Sequence, residues 1–79
     1  MDNDIFEKIQ GVVKEVLQKN NIVLGPDTSS KDVEGWDSLR HVMIITAIEN
    51  HFDIMIDFED VMEMKTLGDI YRVVEKKLK

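Results

Sequence analysis

Ser38 and His41 are the side chains whose types and spacing come nearest to nucleophilic chemistry. Three apart at the start of a helix, they would place a hydroxyl beside an imidazole base. The pair lacks the rest of what acyl transfer needs. No third group orients the histidine, no G-x-S-x-G elbow presents the serine, and no oxyanion donors are implied. Catalysis by this pair is therefore not expected, and His41 reads as half-buried on its helix, with His51 a polar residue near the helix end. The acidic run Asp53, Asp57, Glu59, Asp60 and Glu63 fails as a calcium loop: the central Gly is missing, and Met64 stands where the bidentate Glu is required. With no cysteine in the chain, disulfides and thiolate zinc sites are excluded too. No metal site is expected.

Ser38 has a second kind of use. Gly35-Trp36-Asp37-Ser38-Leu39 ends a long polar loop and opens the most apolar helix of the chain. Asp37 and Ser38 both favour the N-cap position, and the sequence does not separate them. A serine at a helix start is most simply a cap. A helix N-terminus also stabilises a nearby phosphate through its free amides and dipole, so a serine there suits a phosphodiester.

Four elements must position that serine. Asn3 or Asp4 can cap a first helix with apolar residues Ile5, Ile9, Val12, Val13, Val16 and Leu17, ending near Lys19-Asn20-Asn21. Gly11 marks a close helix contact. A long loop follows from Asn20 to Gly35, broken by Gly25-Pro26 and tied down by Ile22, Val23, Leu24 and Val33. The second helix runs from Leu39 to Phe52. Ile44, Ile45, Ile48 and Phe52 form its core arc, and Leu39, Val42, Met43 and Thr46 an adjoining arc with some members exposed. That second arc is either the flank of a central helix or a strip for docking a partner. The alternating residues 53–57 lack a pairing strand, so an extended connector is expected, with Ile54 and Ile56 facing the core. A short helix over 58–64 offers Val61, Met62 and Met64 for burial. The last helix opens with a Thr66/Asp69 capping box, repeats Leu67, Ile70, Tyr71, Val74 and Leu78, and closes with Lys76, Lys77 and Lys79. The expected fold is all-α, a small four-helix bundle with three main helices, one short helix and a long first loop, in a single domain over 1–79.

Chain length and charge narrow the function classes. A domain of 79 residues buries only about 60% of its extended surface, too little to enclose a large catalytic cleft. The net charge of −6, from 16 acidic and 10 basic residues, disfavours nucleic acid and anionic membranes as partners and suits basic protein surfaces. The N-terminus lacks signal-peptide character and no apolar run approaches membrane-spanning length, so a cytoplasmic monomer is expected.

Asp37-Ser38-Leu39 after a Gly-containing loop, followed by an apolar helix ending Ile48-Glu49-Asn50-His51-Phe52, resembles the acyl carrier proteins over nearly the whole chain. The resemblance implies that Ser38 receives 4'-phosphopantetheine from coenzyme A through a phosphopantetheinyl transferase, with Asp37 and Leu39 framing it. It implies a non-catalytic carrier holding acyl groups as thioesters for the enzymes of fatty acid, polyketide or related lipid synthesis. Arg40, Val42, Met43 and Thr46 would then meet partner enzymes, and a core lined by Ile44, Ile48, Phe52, Ile54, Ile56 and Leu67 could part to shelter an acyl chain. Trp36 would pack under the loop or shape the entrance for the arm. The family's commonest pattern has an acidic residue after Asp-Ser-Leu and further glutamates along the helix. Arg40, His41 and Met43 stand there instead, which implies a specialised carrier rather than a housekeeping one. The competing expectation is a small helical interaction module that binds a partner through the Leu39 to Thr46 strip and carries no cofactor.

Overall fold

The computed structural model describes residues 2–78. Its four helices are α1 (Asn3–Leu17), α2 (Ser38–Phe52), α3 (Phe58–Glu63) and α4 (Leu67–Leu78), and α1 packs against both α2 and α4. The all-α expectation holds, and residues 54–57 form an extended connector, not a strand. The fully buried side chains are Ile9 and Val13 from α1, Ile44 and Ile48 from α2, and Leu67, Ile70 and Val74 from α4. Each set repeats at three or four residues, so each helix turns one stripe inward.

Asp2 caps α1, its carboxylate accepting from the amides of Asp4 at 3.0 Å and Ile5 at 3.3 Å. Asn3 and Asp4, the expected caps, already lie inside the helix, whereas Asp2 has the extended backbone a cap requires. The helix stops at Leu17 because Gln18 turns left-handed (φ 55°), earlier than the expected Asn20 and Asn21. Gly11 marks no contact: a Cβ there would meet nothing within 4 Å.

The first loop is held by burial and by backbone. Leu24, Val33 and Trp36 are buried, while Val23, 94% exposed, faces away, on the opposite side of an extended segment from Leu24. Gln10 Nε2 donates to the Leu24 carbonyl. At the far side of the molecule the amides of Leu67 and Gly68 donate to the carbonyls of Thr28 (3.0 Å) and Pro26 (2.8 Å). These are first-turn amides of α4, which no intrahelical partner can satisfy. A Cβ on Gly68 would stand 3.0 Å from the Pro26 oxygen, so a side chain there would push that carbonyl back by a few tenths of an ångström.

The capping box is present as expected. The amide of Asp69 donates to Thr66 Oγ1 (3.1 Å), and Asp69 Oδ2 accepts from the amides of Thr66 (3.2 Å) and Lys65 (3.0 Å). The short helix ends at Glu63, one residue before the expected 64; Met64, its C-cap, is buried and Val61 within it partly so, but Met62 is 67% exposed, contrary to expectation. A six-residue helix has one inward face, and Met62 lies off it. Phe52 is only partly buried, at the margin of the core. Lys79, expected to help close α4, lies outside the described residues.

The hydrogen bond from the Lys65 amide holds the Asp69 carboxyl below its ordinary value of 3.8, with the Thr66 amide and Arg72 adding to the effect against partial desolvation. A depressed folded value means the charged form supports the fold. The Asp69→Asn variant should therefore be about 1 kcal/mol less stable than the parent in urea unfolding near neutral pH. That difference should be complete above pH 3.8 and vanish as pH falls through the lower folded value.

Candidate functional site

Asp37, not Ser38, is the cap of α2. Its backbone is extended and its Oδ1 accepts from the Arg40 amide at 2.8 Å. Arg40 Nη1 lies 3.3 Å from the second carboxylate oxygen, Oδ2. Ser38 is then the first helical residue. Its side chain is exposed, and among the described residues none shares a hydrogen bond with its hydroxyl. Gly35, at φ 93°, supplies the left-handed turn that brings the chain to this point.

His41 and Trp36 form the wall behind the serine. Trp36 is buried, as the packing expectation had it, and its indole Nε1 donates to His41 Nδ1 at 3.2 Å. Indole N–H can only donate, so Nδ1 is an acceptor and the imidazole hydrogen sits on Nε2. Nε2 faces the carbonyl of Val61 at 3.3 Å. Both ring nitrogens are committed away from the serine, and the Ser38/His41 pair has no base to offer. Instead the chain Trp36–His41–Val61 joins the end of the first loop to α2 and α3.

A groove of about 500 Å3 starts at Ser38 and runs between α2 and α3. Val42, Phe58, Val61, Met62 and Met64 line its apolar part, and Ser30, Asp37 and Lys65 its polar rim. A larger hollow of about 600 Å3 under the first loop, between Lys19 and Glu34, contains none of the predicted site residues.

The predicted residues fall on one exposed arc of α2. Leu39 is 66% exposed, Val42 and Met43 about half exposed, and Thr46 and Arg40 are exposed. Of the apolar ones only Val42 reaches the groove; Leu39 and Met43 face outward, and Thr46 lies two turns further along. The apolar residues of α3 were not expected at the site. Phe58, 76% exposed, and Met62 stand four apart on the short helix, and that i, i+4 apolar pair is the signal that marks a second exposed stripe. The free hydroxyl, the first-turn amides of α2 without helical partners, and the adjoining groove together fit a phosphate-linked arm. No helix among the described residues is long and apolar enough to cross a membrane.

Comparison with known proteins points the same way. Residues 7–74 match the family model described as phosphopantetheine attachment site. An acyl carrier protein of Exiguobacterium is 35% identical over 74 residues, covering 94% of both chains. One from Thermotoga maritima is 31% identical over 95% of this chain and 93% of its own. Among solved structures, holo acyl carrier protein from Geobacter metallireducens superposes with a TM-score of 0.87 at 31% identity, covering 94% of this chain and 85% of that one. A putative acyl carrier protein from Mycobacterium tuberculosis gives 0.84 at 32%, covering 91% and 96%.

Because Asp37 supplies the cap, its replacement by Ala should cost about 1 kcal/mol in urea unfolding, whereas Ser38→Ala should change stability by less than about 0.5 kcal/mol.

Proposed function

The chain belongs to the acyl carrier protein family, and from that premise we propose that Ser38 is its point of phosphopantetheine attachment. It is a carrier and not an enzyme, and its prosthetic group is covalent 4'-phosphopantetheine. That group supplies a terminal thiol on which acyl chains are held as thioesters. The observation that carries the assignment to Ser38 is its exposed hydroxyl at the start of α2, without a partner among the described residues and opening on the groove between α2 and α3.

The chain's own residues divide the work. Asp37 holds the first turn of α2 and keeps Ser38 outside the cap's hydrogen bonds. The amides of the first turn and the positive end of α2 favour the phosphodiester's negative charge, and α2 has no acidic residue in that turn to oppose it. Leu39 stands beside the serine as contact surface for the phosphopantetheinyl transferase. Arg40, Val42, Met43 and Thr46 extend that surface to acyl-loading and acyl-processing enzymes. The protein acts as a monomer, and its core can part to admit an acyl chain.

The same arc supports a specialised carrier over a housekeeping one, in polyketide, modified-lipid or related synthesis. Arg40 and Met43 present a different charge pattern from an acidic docking helix, and rim charges govern partner choice more than raw affinity.

Intact mass after incubation with coenzyme A and a broad-specificity phosphopantetheinyl transferase tests the attachment. The parent should gain one phosphopantetheine and Ser38→Ala none. A Ser38→Ala chain that is still loaded would overturn the assignment. A parent that stays unmodified while a control carrier is loaded would favour the cofactor-free interaction module.

A further inference from the structure

Resting on the Ser38 reading, we infer that the phosphopantetheinyl transferase meets this carrier with an apolar surface laid over α2 and the outer side of α3, its basic groups placed beside α3 and none over the start of α2. Five large apolar side chains of these two helices are exposed: Leu39, Val42 and Met43 on α2, and Phe58 and Met62 on α3. Val42, Phe58 and Met62 line the groove that Ser38 opens on, so apolar surface spans both elements beside the serine, with Leu39 and Met43 continuing it outward along α2.

Charge is distributed unevenly over that face. From Ser38 to Ile48, α2 holds no carboxylate, and its one permanent charge is the cation Arg40. The neighbouring Asp37 carboxylate is already engaged by the Arg40 amide and guanidinium. A basic partner surface over the start of α2 would find no free anion and would face Arg40, a like-charge arrangement that costs affinity and rejects the partner. On α3, Glu59, Asp60 and Glu63 have no ion-pair partner among the described residues. They flank the groove rather than line it, and Asp60 and Glu63 border a separate hollow with Asp69 and Arg72 of α4, so attraction of a basic group is available at the margin beside α3 and not over Ser38.

Other occupants fit less well. An arm lying in the groove would cover Val42 and Met62 but leave Leu39 and Met43, which lie outside its lining, exposed. A second copy would bring two chains of net charge −6 together with the α3 carboxylates beside the contact.

The test compares loading of the apo protein by two phosphopantetheinyl transferases, one with a carrier-binding surface rich in arginine and lysine, the other with an apolar one. The apolar-surface enzyme should show a kcat/KM at least about tenfold higher, changing by less than about threefold between about 25 mM and about 500 mM NaCl. Val42→Asp and Met62→Asp should each lower it about tenfold, and Arg40→Glu should improve loading by the basic-surface enzyme. Val23→Asp, on the distant first loop, should leave loading unchanged. Faster loading of the parent by the basic-surface enzyme, lost as salt rises, overturns the inference while leaving Ser38 as the attachment point. That comparison needs no variant to fold. Loading by neither enzyme, with a control carrier modified by both, overturns the Ser38 reading and this inference with it.

Discussion

The carbonyls of Pro26 and Thr28 on the first-turn amides of α4 are the contact on which the rest of the architecture depends. They solve two problems together. A helix that starts inside a small core must satisfy amides that water cannot reach. A loop of this length must be given a fixed path, or its ordering entropy goes uncompensated. With the loop pinned at its middle to α4, Leu24 and Val33 reach the core on either side, and the chain arrives at Gly35 with its direction set. Every feature around Ser38 is downstream of that placement. Gly68, whose missing side chain leaves room for the Pro26 oxygen, is the sequence trace of the same contact.

At the site itself two adjacent polar residues divide roles that one could have combined. The Asp37 carboxylate caps α2 and pairs with Arg40, while the Ser38 hydroxyl is left without a partner among the described residues. A serine that capped its own helix would have to break that bond whenever its oxygen was substituted. Here substitution asks nothing of the helix, since the stabilising contacts belong to the neighbour. His41, which in sequence suggests a base for the serine, is consumed in holding Trp36 and the Val61 carbonyl.

Much of this was legible in the residues. Periodicity identified the three long helices, because each buries a single stripe, and the Thr66/Asp69 box marked the start of α4 from chemistry confined to four neighbouring positions. Caps were less legible where candidates adjoin. Asp2, Asn3 and Asp4 all carry suitable side chains, and only the backbone conformation that tertiary packing selects tells them apart. Contacts between distant segments left no local trace: nothing near Pro26 announces α4, and nothing near His41 announces Val61. The α3 half of the candidate site was misread for a related reason. Apolar residues on a short helix look like core, yet six residues provide one inward face, and Met62, expected at the core, falls outside it, beside the equally exposed Phe58.

That shortness gives the bundle an order of opening. No residue of α3 is fully buried, its N-cap Asp57 makes no side-chain capping bond, and its inward holds are the partly buried Val61, the His41 contact and the following Met64. The three long helices share a core that none can leave alone, whereas α3 can detach with most of that core intact. Amide hydrogens of α3 belong to the first cooperative unit to exchange, and those of Ile9, Ile44 and Ile70 to the last. The molecule is therefore a rigid three-helix frame with one loosely hung door, and the door is the wall of the groove that Ser38 opens on.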